Sequence, residues 1–292
     1  MAEFWSLRGL SWAQLLLRTC RSCWADDVFG QAGRLAFYYF LGTFPAILLL
    51  LLLLDMFGGS GLRDTLLDCF RRIFPPDASA LITKTAGELD SRADIGAGAL
   101  GAGLGAAWTI LNGTWAMMVG LNKAYEVKED RQWWRIIMIA FGLTASLGTM
   151  GLIALGVIFY GSRAGAAAGQ QLGAPTPSSF LLGFIQWPII VALLFVSIAS
   201  LYRFGPNLKG QRWRWSTPGA VLATVLWIAS TLLLRIYQEH FGSSQRIYGG
   251  LKPVVTLLLW LYFTGAAILV GGEANSEIEK AVLKDHSVVR KH

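Results

Sequence analysis

Six long apolar stretches divide the chain into shorter polar segments. A helix that crosses a bilayer needs about 20 mostly apolar residues, and the six stretches contain no Asp, Glu, Lys, Arg or His. The predicted spans are 36–54, 95–121, 136–160, 180–202, 215–234 and 253–272. Because they leave no room for a soluble domain, the pattern predicts an all-α polytopic membrane protein with a single membrane domain over residues 1–292.

The amino-terminal segment 1–34 has the pattern of an amphipathic helix. Apolar residues share one helical face: Trp5, Trp12, Leu16 and Cys20. Arg18 and Arg21 share another face with Gln14. A helix of this kind can lie in the headgroup plane of a membrane, so we predict an interfacial helix. An ordinary cytoplasmic helix packed on the bundle is the alternative.

The first loop between spans predicts a helical hairpin. Apolar residues recur there at helical spacing: Leu62, Leu66, Phe70 and Phe74. Pro75 and Pro76 end that helix, and Asp77 is a suitable N-cap for a second helix toward Leu89. We expect this hairpin to form a structural lid over the outer end of the bundle.

Lys and Arg are unevenly distributed between the two sides of the predicted bundle. One side carries 16 of them and the other carries 9. The richer side is expected to be cytoplasmic. Six spans then place both termini, including the tail 273–292, in the cytoplasm. The location expected for such a chain is the inner, or plasma, membrane of a bacterium.

Features inside the spans predict packing rather than chemistry. Pro45 and Pro188 lie within the first and fourth spans, where proline frees backbone carbonyls and kinks a helix. Gly101 and Gly105 are four residues apart, a spacing that permits close helix packing. Since no span contains an ionisable residue, proton coupling is not expected. Glu273, at the inner end of the sixth span, is predicted to be a boundary charge, with a proton site as the alternative.

Composition and motifs argue against an enzyme. Charged residues make up 15% of the chain and the net charge is +7, and basic excess in a membrane protein usually encodes topology and lipid contact. Cys20 and Cys23 form a C-x-x-C without two further zinc ligands nearby. The few histidines form no nuclease or hydrolase motif. We therefore predict no catalytic residues, no metal, no cofactor and no nucleic-acid partner.

The predicted inner rim alternates basic and aromatic residues. Arg131 and Arg135 flank a Trp-Trp pair, and Arg212 and Arg214 alternate with two further tryptophans. Tryptophan prefers the headgroup level, and basic residues attract anionic headgroups by about 1 kcal/mol each. This pattern favours contact with anionic lipid, with simple topological anchoring as the alternative.

Several segments, in order along the chain, resemble the YihY/BrkB family of bacterial membrane proteins. The matching segments are the A-F-Y-Y-F-L-G-T-F-P of 36–45, the L-N-K-A-Y-E-V-K-E of 121–129, the L-Y-R-F-G-P-N of 201–207, the F-G and Y-G of 241–242 and 248–249, the L-W-L-Y of 259–262, and the G-E-A-N of 272–275. The first thirty residues depart from the family pattern. The resemblance implies a six-helix inner-membrane protein. The family was once labelled a transfer-RNA ribonuclease, is associated with serum resistance and envelope lipid transport, and has no settled activity.

These observations lead to one favoured function and two alternatives. The favoured hypothesis is a transporter or flippase-like protein for an anionic lipid or amphiphile. Its predicted contacts are Arg131, Arg135, Arg203, Arg212 and Arg214 at the rim, with Asn112, Asn122 and Tyr125 along a path. The first alternative is a non-catalytic scaffold or assembly partner in the cell envelope, with a homo-oligomer left open. The second, which the residues disfavour, is a membrane-associated ribonuclease.

Overall fold

The described part of the protein is helical throughout. The computed structural model describes residues 11–57, 60–90, 97–171, 177–208, 217–240 and 249–289. These ranges form α1 (Trp12–Ala25), α2 (Val28–Phe57), α3 (Ser60–Ile73), α4 (Pro76–Asp90), α5 (Ala97–Ala124), α6 (Trp133–Gln171), α7 (Pro177–Phe204), α8 (Thr217–His240), a single 3-10 turn (Gly249–Leu251) and α9 (Lys252–Val289).

Four stretches of the described residues are long and apolar enough to cross a membrane. They are Trp133–Ile158, Gln186–Phe204, Pro218–His240 and Gly249–Ala281. Each overlaps a predicted span, and the other two predicted spans fall on the long helices α2 and α5. The all-α polytopic membrane fold is thus confirmed. Several helices extend beyond the predicted spans: α2 begins at Val28, α6 continues to Gln171, α8 to His240 and α9 to Val289.

The helices pack around two buried clusters at opposite ends of the bundle. The first includes Val28, Leu121, Tyr202 and Leu269 and lies where α1 meets the bundle, which we call the α1 end. The second includes Ile82, Leu234 and Trp260 and lies beneath α3 and α4, which we call the hairpin end. The segments predicted to be cytoplasmic are gathered at the α1 end, for instance through the hydrogen bond from the Asn207 amide to Asn122 Oδ1.

Helix α1 packs on the bundle, and its interfacial position stays a prediction. Ser11 caps it, with a reciprocal hydrogen bond to Gln14. Its buried side, with Leu15 and Cys23, packs against the bundle. On the outside, Leu16, Leu17 and Trp24 are exposed. An apolar surface on a helix already docked to a membrane bundle is suited to contact with the lipid interface.

The predicted helical hairpin is present as α3 and α4, with one correction at their junction. Asp77 is not an N-cap, because Pro76 is already the first helical residue. Proline is favoured at that position because its missing N–H has no intrahelical partner there. The Asp77 carboxylate instead pairs with Lys252 of α9 at 3.1 Å. Arg235 of α8 donates to the main-chain oxygen of Arg72 at 3.3 Å, so two contacts attach the hairpin to the bundle.

Close packing by glycine occurs in α5, but not where the sequence pattern placed it. A Cβ on Gly101 would meet nothing within 4 Å, and one on Gly105 would make only ordinary contact. A Cβ on Gly113 would lie 2.8 Å from the ring of Tyr39, and one on Gly120 would lie 2.8 Å from Leu269. The close approaches of α5 are therefore to α2 and α9, nearer its carboxyl end.

Candidate functional site

The predicted rim residue Arg131 lies inside a hydrogen-bonded bridge between two loops. Its Nε donates to Glu129 Oε1 at 2.7 Å, and its Nη2 pairs with Glu129 Oε2 at 2.5 Å. Nη2 also donates to the main-chain oxygen of Gly205, 2.9 Å away after the end of α7. The Arg131 side chain is only 12% exposed. Its hydrogen bonds join the α5–α6 loop to the end of α7.

Asn122 completes the same bridge from the last turn of α5. Its Nδ2 donates to Glu129 Oε2 at 2.7 Å, and its Oδ1 accepts from the Asn207 amide at 2.7 Å. Asn207 in turn donates to the carboxylate of Asp130 at 2.6 Å. The hydrogen bonds from Arg131, followed by that from Asn122, lower the pKa of Glu129 despite its partial burial. We call Asn122, Glu129, Arg131, Gly205 and Asn207 the loop clamp.

The start of α6 presents aromatic and basic side chains to the outside. Trp133 is 75% exposed, and Trp134 is exposed beside it. The guanidinium of Arg135 lies over the Trp134 ring, 5.1 Å from its centroid, in a cation–π contact. At the end of the neighbouring helix α7, Arg203 lies 5.8 Å from the ring centroid of Phe204, which is also exposed.

The remaining predicted site residues do not form one continuous path in the described structure. Arg212 and Arg214 lie outside the described residues. Asn112 donates to the main-chain oxygen of Trp108 at 2.6 Å, ten residues before Asn122 on the same helix, which is about 15 Å along a helix axis. Tyr125 is half-buried at the end of α5. Burial raises the pKa of its phenol, and Asn275 is its hydrogen-bond partner.

Both prolines predicted to kink spans lie inside long helices. Pro45 is within α2 and Pro188 is within α7. The Pro45 ring faces α5, since a Cβ on Gly105 would lie 3.9 Å from it. The kinks themselves stay a prediction.

A polar contact between α1 and α9 was not predicted from the sequence. Ser22 Oγ donates to Glu277 Oε1 at 3.0 Å, and Lys280 Nζ pairs with the same oxygen at 2.9 Å. Cys23 is buried in this contact, whereas Cys20 is exposed. Burial, followed by the charge of Glu273, raises the pKa of the Cys23 thiol to about 12. We call this group the polar seam: Ser22 and Cys23 of α1 with Glu273, Glu277 and Lys280 of α9.

Glu273 lies fully buried in the polar seam, with 0% of its surface exposed. The sequence predicted a boundary charge at this position, because it shows only an acidic residue directly after an apolar span. The signal that could have identified it is the surrounding G-G-E-A-N segment at 271–275. Three small residues there permit the close helix contacts that enclose the carboxyl group.

The same segment fixes α8 against α9. Asn275 Oδ1 accepts a hydrogen bond from the Gly219 amide at 2.8 Å, which satisfies a free donor in the first turn of α8. A Cβ on Gly219 would clash with the main-chain oxygen of Gly271. Tyr202 Oη donates to the main-chain oxygen of Ile268 at 2.6 Å. These contacts bring α7, α8 and α9 together beside the polar seam.

Comparison with known proteins places the chain in a family. The sequence profile described as virulence factor BrkB matches residues 19–291. The chain belongs to the BrkB family. The match includes α1 from its second turn, and it includes both the loop clamp and the polar seam.

Individual BrkB-family relatives are distant in sequence. The ribonuclease-like protein YfkH of Bacillus subtilis (strain 168) is 29% identical over 86% of this chain and 90% of its own length. The UPF0761 membrane protein IL2447 of Idiomarina loihiensis is 26% identical over 56% of this chain and 55% of its own length. The UPF0761 membrane protein PSHAa0171 of Pseudoalteromonas translucida is 26% identical over 94% and 87%. No solved structure matches the chain.

Proposed function

We propose that this BrkB-family protein binds an anionic lipid or amphiphile at the α1 end and transfers it across the bilayer. The observation that carries the proposal is the exposed group of Trp133, Trp134 and Arg135 at the start of a membrane-spanning helix. Tryptophan at a span end marks the headgroup level, and a guanidinium there can donate two parallel hydrogen bonds to a phosphate.

Neighbouring surfaces extend this interfacial group. Arg203 and exposed Phe204 end α7, which packs along α6. Leu16, Leu17 and Trp24 give α1 an exposed apolar surface at the same end of the bundle. Together these residues would contact both the headgroup and the upper acyl chains of a lipid.

The other predicted site residues have different proposed roles. Arg212 and Arg214 remain proposed headgroup contacts. Arg131 and Asn122 act through the loop clamp, where their polar groups are already bonded, so we assign them the positioning of the rim. Asn112 and Tyr125 remain proposed lining residues of a transfer path.

We further propose that the α1 end faces the cytoplasm of a bacterial inner membrane. The described parts of the predicted cytoplasmic segments are in contact at this end, and these segments carry the larger share of Lys and Arg. Such asymmetry favours a cytoplasmic location. Both termini then lie in the cytoplasm, and the hairpin end lies on the outer side.

Lipid binding by purified protein tests the proposal. Native mass spectrometry would compare an anionic phospholipid with a zwitterionic one of the same acyl chains. The double variant R135A/R203A should lose about tenfold or more of its anionic-lipid affinity, since two headgroup contacts of about 1 kcal/mol each are removed. The control R71A/R72A removes the same charge at the hairpin end and should bind normally. Equal losses in both variants would reject a headgroup site at the rim.

A scaffold function has one observation in its favour. On α6, Gly148 and Gly151 are exposed one turn apart on the same side of the helix, and a Cβ on either of them would meet nothing within 4 Å. Small residues on an open helix face permit close packing of a second helix. A defined homo-oligomer that is lost in G148L, in a protein that binds neither lipid class, would favour the scaffold.

Ribonuclease activity is the hypothesis suggested by the name of the Bacillus relative. Among the described residues, no group of three or more His, Cys, Asp or Glu side chains is arranged to hold a metal ion. We expect the purified protein to leave RNA intact with or without divalent cations.

A further inference from the structure

Glu273 is a buried carboxyl group whose oxygens accept no hydrogen bond from the described residues. Neither Oε1 nor Oε2 accepts a hydrogen bond from an N–H or hydroxyl group in that part of the chain, and both atoms are inaccessible. The Asp26 carboxyl group lies within hydrogen-bonding reach of Glu273 and can accept a hydrogen bond from its protonated form. Buried polar groups in proteins are nearly always bonded. Helix α1 packs against the helix that carries Glu273. It contains a second buried oxygen without a partner among the described residues, Thr19 Oγ1, two turns before Asp26.

The cations near Glu273 are bound to other groups. Lys280 pairs with Glu277 and with Glu126, at 2.9 Å in each case. Lys123 of α5 donates to the main-chain oxygen of Asp26. Among the described residues, the positive charge therefore lies at the edge of the polar seam, and none of these cations pairs directly with the Glu273 carboxyl group.

Several acidic groups face Glu273 from the elements packed around it. Asp26, at the end of α1, and Glu277, one turn further along α9, repel a negative charge on Glu273, whereas Lys280 attracts it. Cys23 of α1 and Tyr125 at the end of α5 are the other titratable side chains coupled to it. Most of these neighbours therefore oppose ionisation of the carboxyl group.

Burial of a carboxylate that has neither hydrogen-bond donors nor a direct counter-ion costs several kcal/mol of free energy, even after relaxation of the protein. Such groups usually bind a proton and become neutral instead. We propose that Glu273 is a proton-binding site, and that α1 docks on α9 around its neutral carboxyl group. Ionisation would place a negative charge beside the carboxyl groups of Asp26 and Glu277 and would weaken the docking.

The site also extends the proposed function. If the protein transfers lipid, release of the Glu273 proton would loosen α1, whose exposed apolar surface is proposed to contact the headgroup region. Proton binding would then control access to the rim. This last step rests on the proposed function, whereas the proton site itself does not.

Infrared spectroscopy of the full chain in detergent micelles tests the site without any lipid substrate. At neutral pH the wild-type protein should show the carbonyl stretch of a protonated carboxylic acid, which shifts in D2O and disappears as the pH is raised. The variant E273Q should fold, because a neutral amide replaces a neutral acid, and should lack the band. The control E277Q, on the same helix and normally paired with Lys280, should keep it.

Three results would overturn the proton site. They are a wild-type spectrum without the band, a band that persists in E273Q, and an E273Q protein that does not fold. A band lost only in E273Q would support the site whether or not lipid is transferred. If it were found in a protein that neither binds nor moves anionic lipid, the proposed function alone would be rejected.

Discussion

Arg131 and Arg135 have the same side chain and lie one helical turn apart in sequence, but their surroundings differ. Arg131 is bonded to Glu129 and to the main chain of Gly205, and little of it is exposed. The Arg135 side chain is exposed and lies against the face of Trp134. At the scale of single residues, the rim thus separates into groups that hold the loops and groups that are exposed on the outside.

Replacing these two arginines should change the free energy of unfolding by different amounts. R131A breaks a charge-assisted bridge and leaves Glu129 without its main partner, so it should lower the free energy of unfolding by about 2 kcal/mol. R135A should change stability by less than about 0.5 kcal/mol, since it is an exposed position. Thermal unfolding in detergent measures both. Equal stability losses would contradict the assigned roles.

The loop clamp should also weaken in acid. The folded-state pKa of Glu129 lies below its usual value, because Arg131 and Asn122 bond to the ionised form. Its stabilising contribution is therefore complete above the unfolded-state pKa and is lost as the pH falls through the folded-state pKa. Stability measured over the acid range should fall less steeply in E129Q than in the wild type.

The burial of Glu273 does not follow from its sequence neighbours alone. Those neighbours are mostly small, which is compatible both with close helix packing and with an exposed helix end. Its burial depends on α1, at the opposite end of the chain, which packs over it. Similarly, the clamp partners Asn122 and Asn207 are brought together only by the fold.

At the scale of elements, apolar length predicted the helices well because a bilayer requires it. The ends were less predictable. Helix α9 continues beyond its apolar stretch because its polar residues, among them Glu277 and Lys280, bond to α1 and to the α5–α6 loop. The hairpin was predicted from its helical spacing, but its Asp77 pairs with Lys252, a long-range contact that spacing does not record.

Glycine contacts between helices could not be assigned from spacing alone. Gly101 and Gly105 have the expected separation, but the closest approach is at Gly219 and Gly271, which lie on different helices. Which glycine meets a neighbour depends on where two helices cross. That crossing is set by the whole bundle rather than by either sequence segment.

A pair of matched substitutions tests this crossing. G219A places a methyl group against a main-chain oxygen that cannot move independently, so we expect destabilisation of about 1–3 kcal/mol or more. G148A makes the same change on α6, where nothing lies within 4 Å, and should leave stability unchanged or slightly raised. Thermal midpoints in detergent compare them. Similar midpoints for both variants would contradict the close packing of α8 on α9.

At the scale of the whole molecule, the two ends of the bundle differ in character. The hairpin end is covered by α3 and α4, which are attached by Asp77–Lys252 and by Arg235. The α1 end combines an exposed basic and aromatic rim with a buried acidic seam. The pattern of apolar and basic segments predicted the hairpin and the basic rim, whereas the buried acidic seam depends on contacts between α1 and α9, which are far apart in sequence.

Lipid translocation in liposomes tests the proposed transfer itself. Purified protein would be reconstituted with a fluorescent anionic lipid, and an impermeant quencher would report the fraction left in the inner leaflet. We expect translocation that requires the wild-type protein, is strongly reduced in R135A/R203A and is normal in R71A/R72A. Absence of translocation by folded, inserted wild-type protein, or equal translocation by the rim variant, would contradict a lipid-transfer function at the α1 end.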